Sequence, residues 1–316
     1  MSFELKPDES LRKGIQRIVR KQMDGALEYL TGPHKGSRDE AVHEARKCFK
    51  KIRAVLRLVR PAIGEKSYRE ENICFRDAGR PLTVVRDAKI FIETLDQLAE
   101  HFKEHIVGRS FGDARQALQD NLRAVRKRVL DEQNSFAVVM EAVRQARERI
   151  ESWADVPNKG AVVREGLEDV YRRAGDAYTD AAADLTVEKL HEWRKQAKYL
   201  RYQLEVLRPL WPERMEELAN EADQMGDLLG DDHDLAALRQ MLTDDPGRFG
   251  DEGDGEVLLA LIDRRRVELE REAMLLGRRF FQDSPRDFAR RLKKLWKTWR
   301  AQAEPEQTDE PRLAGT

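Results

Sequence analysis

Two runs of the sequence place histidine, arginine and lysine at matching intervals. His43, Glu44, Arg46, Lys47, Lys50, Arg53, Leu56, Arg60 and Pro61 fall, without a gap, on His191, Glu192, Arg194, Lys195, Lys198, Arg201, Leu204, Arg208 and Pro209, at a constant offset of 148 residues. The shared polar positions follow i, i+3, i+4, i+7 and i+10, so an α-helix gathers them on one face. A row of guanidinium and ammonium groups binds oxyanions through charge-assisted hydrogen bonds, each arginine through two donors at once. Histidine donates from either ring nitrogen, and a nearby anion favours its charged form. The chemistry this pattern suits is recognition of a line of phosphate groups.

Such a row is costly to leave alone. Like charges at i, i+4 destabilise a helix by roughly 0.3 kcal/mol per pair. Solvent-facing helices relieve this with interleaved glutamates, yet each run has one Glu directly after its His and then a nearly unbroken cationic row. The reading is that an external anion supplies the missing counter-charge. For one such helix a solvated face is the better account; two in matched register favour a ligand. A lone histidine near a helix start is more commonly structural, so the histidines are weaker evidence than the arginines and lysines.

The elements that position these residues are all helical. With 316 residues and 40% apolar content the chain can bury a core, and 37% charged content with few Gly and Pro suits long helices. Net charge is −1, so anion binding must come from segregated charge. Cys48 and Cys74 have neither metal spacing nor a disulfide framework. No signal region or membrane-spanning run is read, and a cytoplasmic location is expected. No strand pattern is found. Helices are expected over 5–30, 38–60, 66–78, 82–106, 113–130, 135–153, 162–183, 186–207, 212–242 and 257–281. A last helix opens at Ser284-Pro285 and runs to 300. Gly79-Arg80-Pro81 is read as an interruption, 31–37 and 108–112 as connections, 244–255 as an acidic loop and 304–316 as a disordered tail.

The duplication extends past the two runs. Gly14, Arg20, Lys21 and Asp24 match Gly166, Arg172, Arg173 and Asp176, and Gly79, Leu82 and Asp87 match Gly226, Leu229 and Asp234. The expected architecture is all-α: two related antiparallel helical bundles, 1–156 and 157–303, packed about an internal pseudo-two-fold axis around a basic groove or cavity. The period is far longer than that of solenoid repeats.

On these residues the chain resembles the CHAD family, the conserved histidine α-helical domain. The pattern His-x-x-Arg-Lys-x-x-Lys-x-x-Arg stands at His43 to Arg53 and His191 to Arg201, and the segments ending in Arg86-Asp87 and His233-Asp234 look like the family's Leu-Gly-x-x-Arg-Asp segment. His233 departs from it in place of Arg, and Arg80-Pro81 after Gly79 is a second departure. The resemblance implies a helical fold that binds inorganic polyphosphate, in proteins associated with polyphosphate-metabolising enzymes or granules. Carried over by position, the contacts implied are His43, Arg46, Lys47, Lys50, Arg53, His191, Arg194, Lys195, Lys198 and Arg201. Arg57 is an extra from the first half, since Glu205 occupies its counterpart. Arg20, Lys21, Arg172 and Arg173 are a second tier. No catalytic residue, metal ligand or cofactor is implied.

Other groupings are weaker. Asp227, Asp231, Asp232, His233 and Asp234 could form a metal site of a phosphohydrolase, but carboxylates that orient neighbouring arginines explain them more simply. Trp296 and Trp299, with Lys293, Lys294 and Lys297, could stack on nucleobases, although aromatics at i, i+3 are more often core. Arg264, Arg265 and Arg266 read as surface. The same cations would hold an RNA backbone, but the runs largely lack interleaved aromatics, so nucleic acid is the lesser alternative.

Overall fold

The computed structural model describes residues 3–31, 37–106, 111–151, 153, 156–250 and 252–302. Among these, ten α-helices follow in order: α1 (Leu11–Thr31), α2 (Arg38–Leu58), α3 (Arg60–His101), α4 (Gly112–Arg126), α5 (Ser135–Glu151), α6 (Gly160–Ala183), α7 (Val187–Leu207), α8 (Pro212–Asp244), α9 (Glu252–Phe280) and α10 (Pro285–Ala301). A π-helical turn follows α4, short 3₁₀ turns follow α7 and α8, and the described residues contain no strand. No described helix is long and apolar enough to cross a membrane.

Each cationic run is one uninterrupted helix, and the two begin alike. Ser37 caps α2 by accepting from the Glu40 amide, and Thr186 caps α7 by accepting from the Lys189 amide. Each cap satisfies one of the amides that the first turn leaves open. The buried positions explain the register. Val42, Phe49, Ile52 and Leu56 of α2, and Trp193, Ala197, Leu200 and Leu204 of α7, are almost wholly out of solvent. Burying a side chain of the Val, Leu or Phe kind contributes about 1.5–3 kcal/mol. That outweighs the charge repulsion along the same helix and fixes which edge carries the cations.

The helices pack in a repeating order. α1 lies on α2, α2 on α3 and α3 on α4; α6 lies on α7, α7 on α8 and α8 on α9. The two sets meet where α2 packs on α7 and α6, and α3 on α8, while α10 packs on the outside of α6. One continuous set of buried apolar side chains runs through both. Gln203, fully buried on α7, donates from Nε2 to the Ala54 carbonyl at 3.1 Å and ties α7 to α2. Buried carboxylates clamp outer helices: Glu71 holds Arg149 of α5, and Asp39 holds Arg126 of α4.

Several boundaries differ from the sequence reading. Pro81 does not interrupt α3. Its fixed φ is itself helical and removes only one amide donor, while Ala78, Leu82 and Val85 on either side are buried and hold the helix together. The chain does bend at Gly64, inside the break expected between residues 60 and 66, with φ 79 and ψ 160, a backbone that glycine reaches without a Cβ penalty. The first helix starts at Leu11, after a segment whose Leu5 amide donates to the Val206 carbonyl at 3.1 Å. The acidic segment 244–255 already contains a 3₁₀ turn and the start of α9. The loop at 32–36, most of the turn at 108–112 and the tail 304–316 lie outside the described residues.

Candidate functional site

Residues one step from the buried face of α2 and α7 line a common pocket of about 470 Å³. His43, Arg46, Lys47 and Lys50 come from α2, and His191, Arg194, Lys198, Arg201 and Tyr202 from α7. α3 adds Thr83, Arg86, Asp87 and Ile90; α8 adds Gly226, Asp227, Gly230, Asp231, His233 and Asp234. Seven arginines and lysines therefore face four aspartates and three histidines. The packing of α2 on α7, with α3 and α8 alongside, brings runs 148 residues apart to one cavity.

The two central arginines sit differently. Arg46 donates from Nη1 to the Gly79 carbonyl at 3.1 Å and to the Thr83 hydroxyl, which in turn donates to Gly79 at 3.0 Å. Arg194, its counterpart, lies against Gly230, where a Cβ would fall 3.2 Å from its Nε; Gly226 leaves similar room for the stem of Lys198. The Arg194 Nε is buried and has no hydrogen-bond partner among the described residues, and the same holds for His233 Nδ1. The rings of His191 and His233 are 4.6 Å apart.

Loss of solvent governs the protonation of the lining. Burial, and then repulsion from Arg46, Arg194 and Lys198, pushes the Lys50 ammonium down to about 7. Burial raises Asp234 to about 6 against the pull of Arg194, and it also raises Asp87 and Asp231. His233 falls to about 4 through burial and then the neighbouring His191 and Arg194. His43 and His191 are lowered as well, first by burial, then by Arg86 and Arg194 respectively. Each direction reports a pocket in which charge is poorly solvated.

The remaining expected residues divide. Arg53 lines an adjoining pocket of about 380 Å³ with Arg76 and Arg80, and this pocket shares Arg46, Lys50 and Thr83 with the first. Arg57 lines neither: its guanidinium lies 3.8 Å from the centre of the Tyr199 ring and bonds Asn72 at 3.0 Å, as Arg53 does. Lys195 turns to Glu192. Arg172 and Arg173 are paired with Asp169 and Asp176 on their own helix, and Arg20 and Lys21 of α1 do not line the pocket. Thr83, Arg86, Asp87 and His233 are lining residues absent from the contacts read from the sequence. Their signal was the second repeated segment, Gly79 to Asp87 against Gly226 to Asp234.

The α7 row is not short of counter-charge: Lys198 pairs with Asp227 at 2.9 Å and Asp223 at 3.8 Å, and Arg201 pairs with Asp223 and with Glu205 at 2.9 Å. These acids, apart from Glu205, come from α8 and could not be seen in a scan of α7 alone. The aspartate cluster is also resolved in part. Asp232 is buried and holds Arg266 of α9 at 2.8 Å, so the half-buried Arg266 is tied to α8 and is not a free surface cation. Among the described residues no three His, Cys, Asp or Glu side chains are gathered as a metal site.

The sequence pattern of the CHAD domain matches residues 17–243, well over half the chain. The chain belongs to the CHAD family. No curated protein matches it. Every lining residue of the pocket falls inside the CHAD span, whereas α9 and α10 lie beyond it.

Proposed function

We propose that this CHAD domain binds inorganic polyphosphate in the pocket between α2, α3, α7 and α8, and does so without turnover. The observation that carries the reading is the convergence of two sequence-matched cationic rows on one cavity, with the Arg194 Nε buried and unpartnered within it. A phosphate oxygen would satisfy that donor and favour the charged form of Lys50, which burial and neighbouring cations hold near 7. In this reading the two halves are copies related by a pseudo-two-fold axis, the cavity between them is a basic groove, and the adjoining Arg53, Arg76 and Arg80 continue the path of a chain. The domain would act in the cytoplasm, alone or beside polyphosphate granules and the enzymes that work on them.

RNA is less well served. Besides histidine, Tyr202 is the one aromatic lining the pocket, and it is buried, so bases have no open platform. The test is titration with long-chain polyphosphate and with single-stranded RNA at equal phosphate concentration. Polyphosphate should bind more tightly and displace the RNA; tighter RNA binding would overturn the reading. Phosphate release with Mg²⁺ or Mn²⁺ that Asp231→Ala or Asp234→Ala abolishes would overturn the second part.

A further inference from the structure

The last helix carries a third cationic row, outside the span that defines the family. Arg286, Arg290, Lys293 and Lys297 stand at i, i+4, i+7 and i+11 of α10, so they share one face over about 16 Å of helix. They line a cleft of about 520 Å³, completed by Lys159 and Arg164 at the start of α6. Among the described residues no Asp or Glu lines this cleft, in contrast to the four aspartates of the first pocket. Arg290 pairs with Asp287 at 3.1 Å, and Arg164 with Glu165 and Glu168. Lys159, Arg286, Lys293 and Lys297 have no carboxylate partner among the described residues. Four exposed cations crowd a concave surface in a chain whose net charge is −1.

The floor decides what kind of anion fits. Trp296 and Trp299 are buried, 7% and 4% exposed, as core aromatics of α10. Trp296 lies so close to Gly160 that a Cβ there would fall 2.6 Å from the ring. Its face is covered, with Trp299 at 5.3 Å on another side. A nucleobase therefore finds no open ring to stack on, and the one exposed apolar side chain of the lining, the single methyl of Ala161, is too small to enter a lipid surface. What remains is phosphate charge along a line.

We propose that the α6–α10 cleft is a second binding site for a phosphate chain, built by this protein's own helix beyond the CHAD span. The choice of a phosphate chain as ligand rests on the reading of the first pocket; the cleft itself rests on α6 and α10 alone. A second site spaced from the first lets one long chain be held at two places, which raises apparent affinity without new chemistry.

The test is lysine acylation footprinting of the whole protein with sodium tripolyphosphate as probe. Tripolyphosphate should protect Lys293 and Lys297 as well as Lys50 and Lys198. In Arg46→Ala with Arg194→Ala, protection at Lys293 and Lys297 should persist while that at Lys50 is lost. In Arg286→Ala with Arg290→Ala, the probe concentration needed to protect Lys293 should rise about tenfold, with Lys50 unchanged. These arginines are exposed, so the fold tolerates the change, and circular dichroism checks it. Lys293 left unprotected where Lys50 is protected would overturn the cleft and leave the first pocket standing. Protection of Lys293 without Lys50 would do the reverse. Better protection of Lys293 by single-stranded RNA or by anionic phosphatidylserine vesicles, at equal phosphate, would also overturn it.

Discussion

The α2 and α7 rows carry the same residues in different company. On α2, Arg46 rests on a hydroxyl and a carbonyl, Arg53 and Arg57 share the neutral Asn72, and Lys50 has no ion pair among the described residues; Lys47 holds Glu44 just as Lys195 of α7 holds Glu192. On α7, Lys198 and Arg201 each hold a carboxylate of α8. Matched sequence thus conceals unequal electrostatics: one row is open to an anion, and the other must release an aspartate or glutamate first. Arg194 stands apart on α7, because its Nε has no partner. The proposed ligand should therefore lean on α2 and on Arg194, and should draw less from Lys198 and Arg201.

Single substitutions break this comparison most directly. Arg46→Ala should weaken polyphosphate binding about thirtyfold, as the loss of a charge-assisted contact in a poorly solvated pocket, whereas Arg201→Ala should cost about threefold because its charge is already met. Equal losses by calorimetric titration would erase the distinction. A smaller effect sharpens it from the other side. Asp223→Asn with Asp227→Asn should free Lys198, leave Arg201 with Glu205 alone, and tighten binding about fivefold; unchanged affinity would mean that the pairs from α8 do not compete with the ligand.

The pH dependence follows from the same contrast. Lys50 is held near 7 in the free pocket, and a bound phosphate chain favours its charged form. The complex then holds more protons than the free protein above about pH 7, so affinity falls as pH rises. Asp234, near 6 when free, acts in the same direction because its protonated form repels phosphate less. Affinity should drop several-fold between about pH 6 and pH 8, and Lys50→Arg should flatten the upper part of that curve. A rise with pH would contradict the burial of Lys50.

The smallest expected effect is on stability without ligand. The Asp234 carboxyl is raised from 3.8 to about 6 by folding, so its contribution is most favourable below about 4 and is lost as pH rises through 6. Asp234→Asn should raise the melting temperature by about 2–4 °C at pH 8 and by nothing at pH 4. A lower melting temperature at pH 8 would show that ion pairing to Arg194 outweighs burial.

Much of the fold was legible because helical periodicity is local. The buried set Val42, Phe49, Ile52 and Leu56 and the cationic set one step away are both written in a single stretch of sequence. Ser284 announced the start of the last helix and does cap it, and Ser37 and Thr186 cap α2 and α7 in the same way. Pro81 misled because local propensity was overruled by burial on both sides of it, while the bend at Gly64 falls in the break read between residues 60 and 66. The site was half legible. Two rows in register pointed to one pocket, but the carboxylates that answer α7 sit 22 to 29 residues away on α8, and only packing decides which cation they reach. Arg57 shows the same limit, since its guanidinium is spent on Tyr199 across the helix interface.

The central claim is that the two rows form one site for a phosphate chain. Its most direct test compares Arg46→Ala with Arg194→Ala against Arg264→Ala with Arg265→Ala, two pairs that remove the same formal charge. Arg264 and Arg265 pair with Glu268 on α9 and do not line the pocket, with Arg265 on the far side of Asp231 in a neighbouring cleft. Both variants are titrated with long-chain polyphosphate at low and high salt, after circular dichroism confirms folding. The account predicts a loss of about a hundredfold for the first pair, less than about threefold for the second, and a weaker salt dependence for the first pair than for the unmodified protein. Equal losses and equal salt slopes for both pairs would mean diffuse attraction to the surface, and the shared site would be wrong.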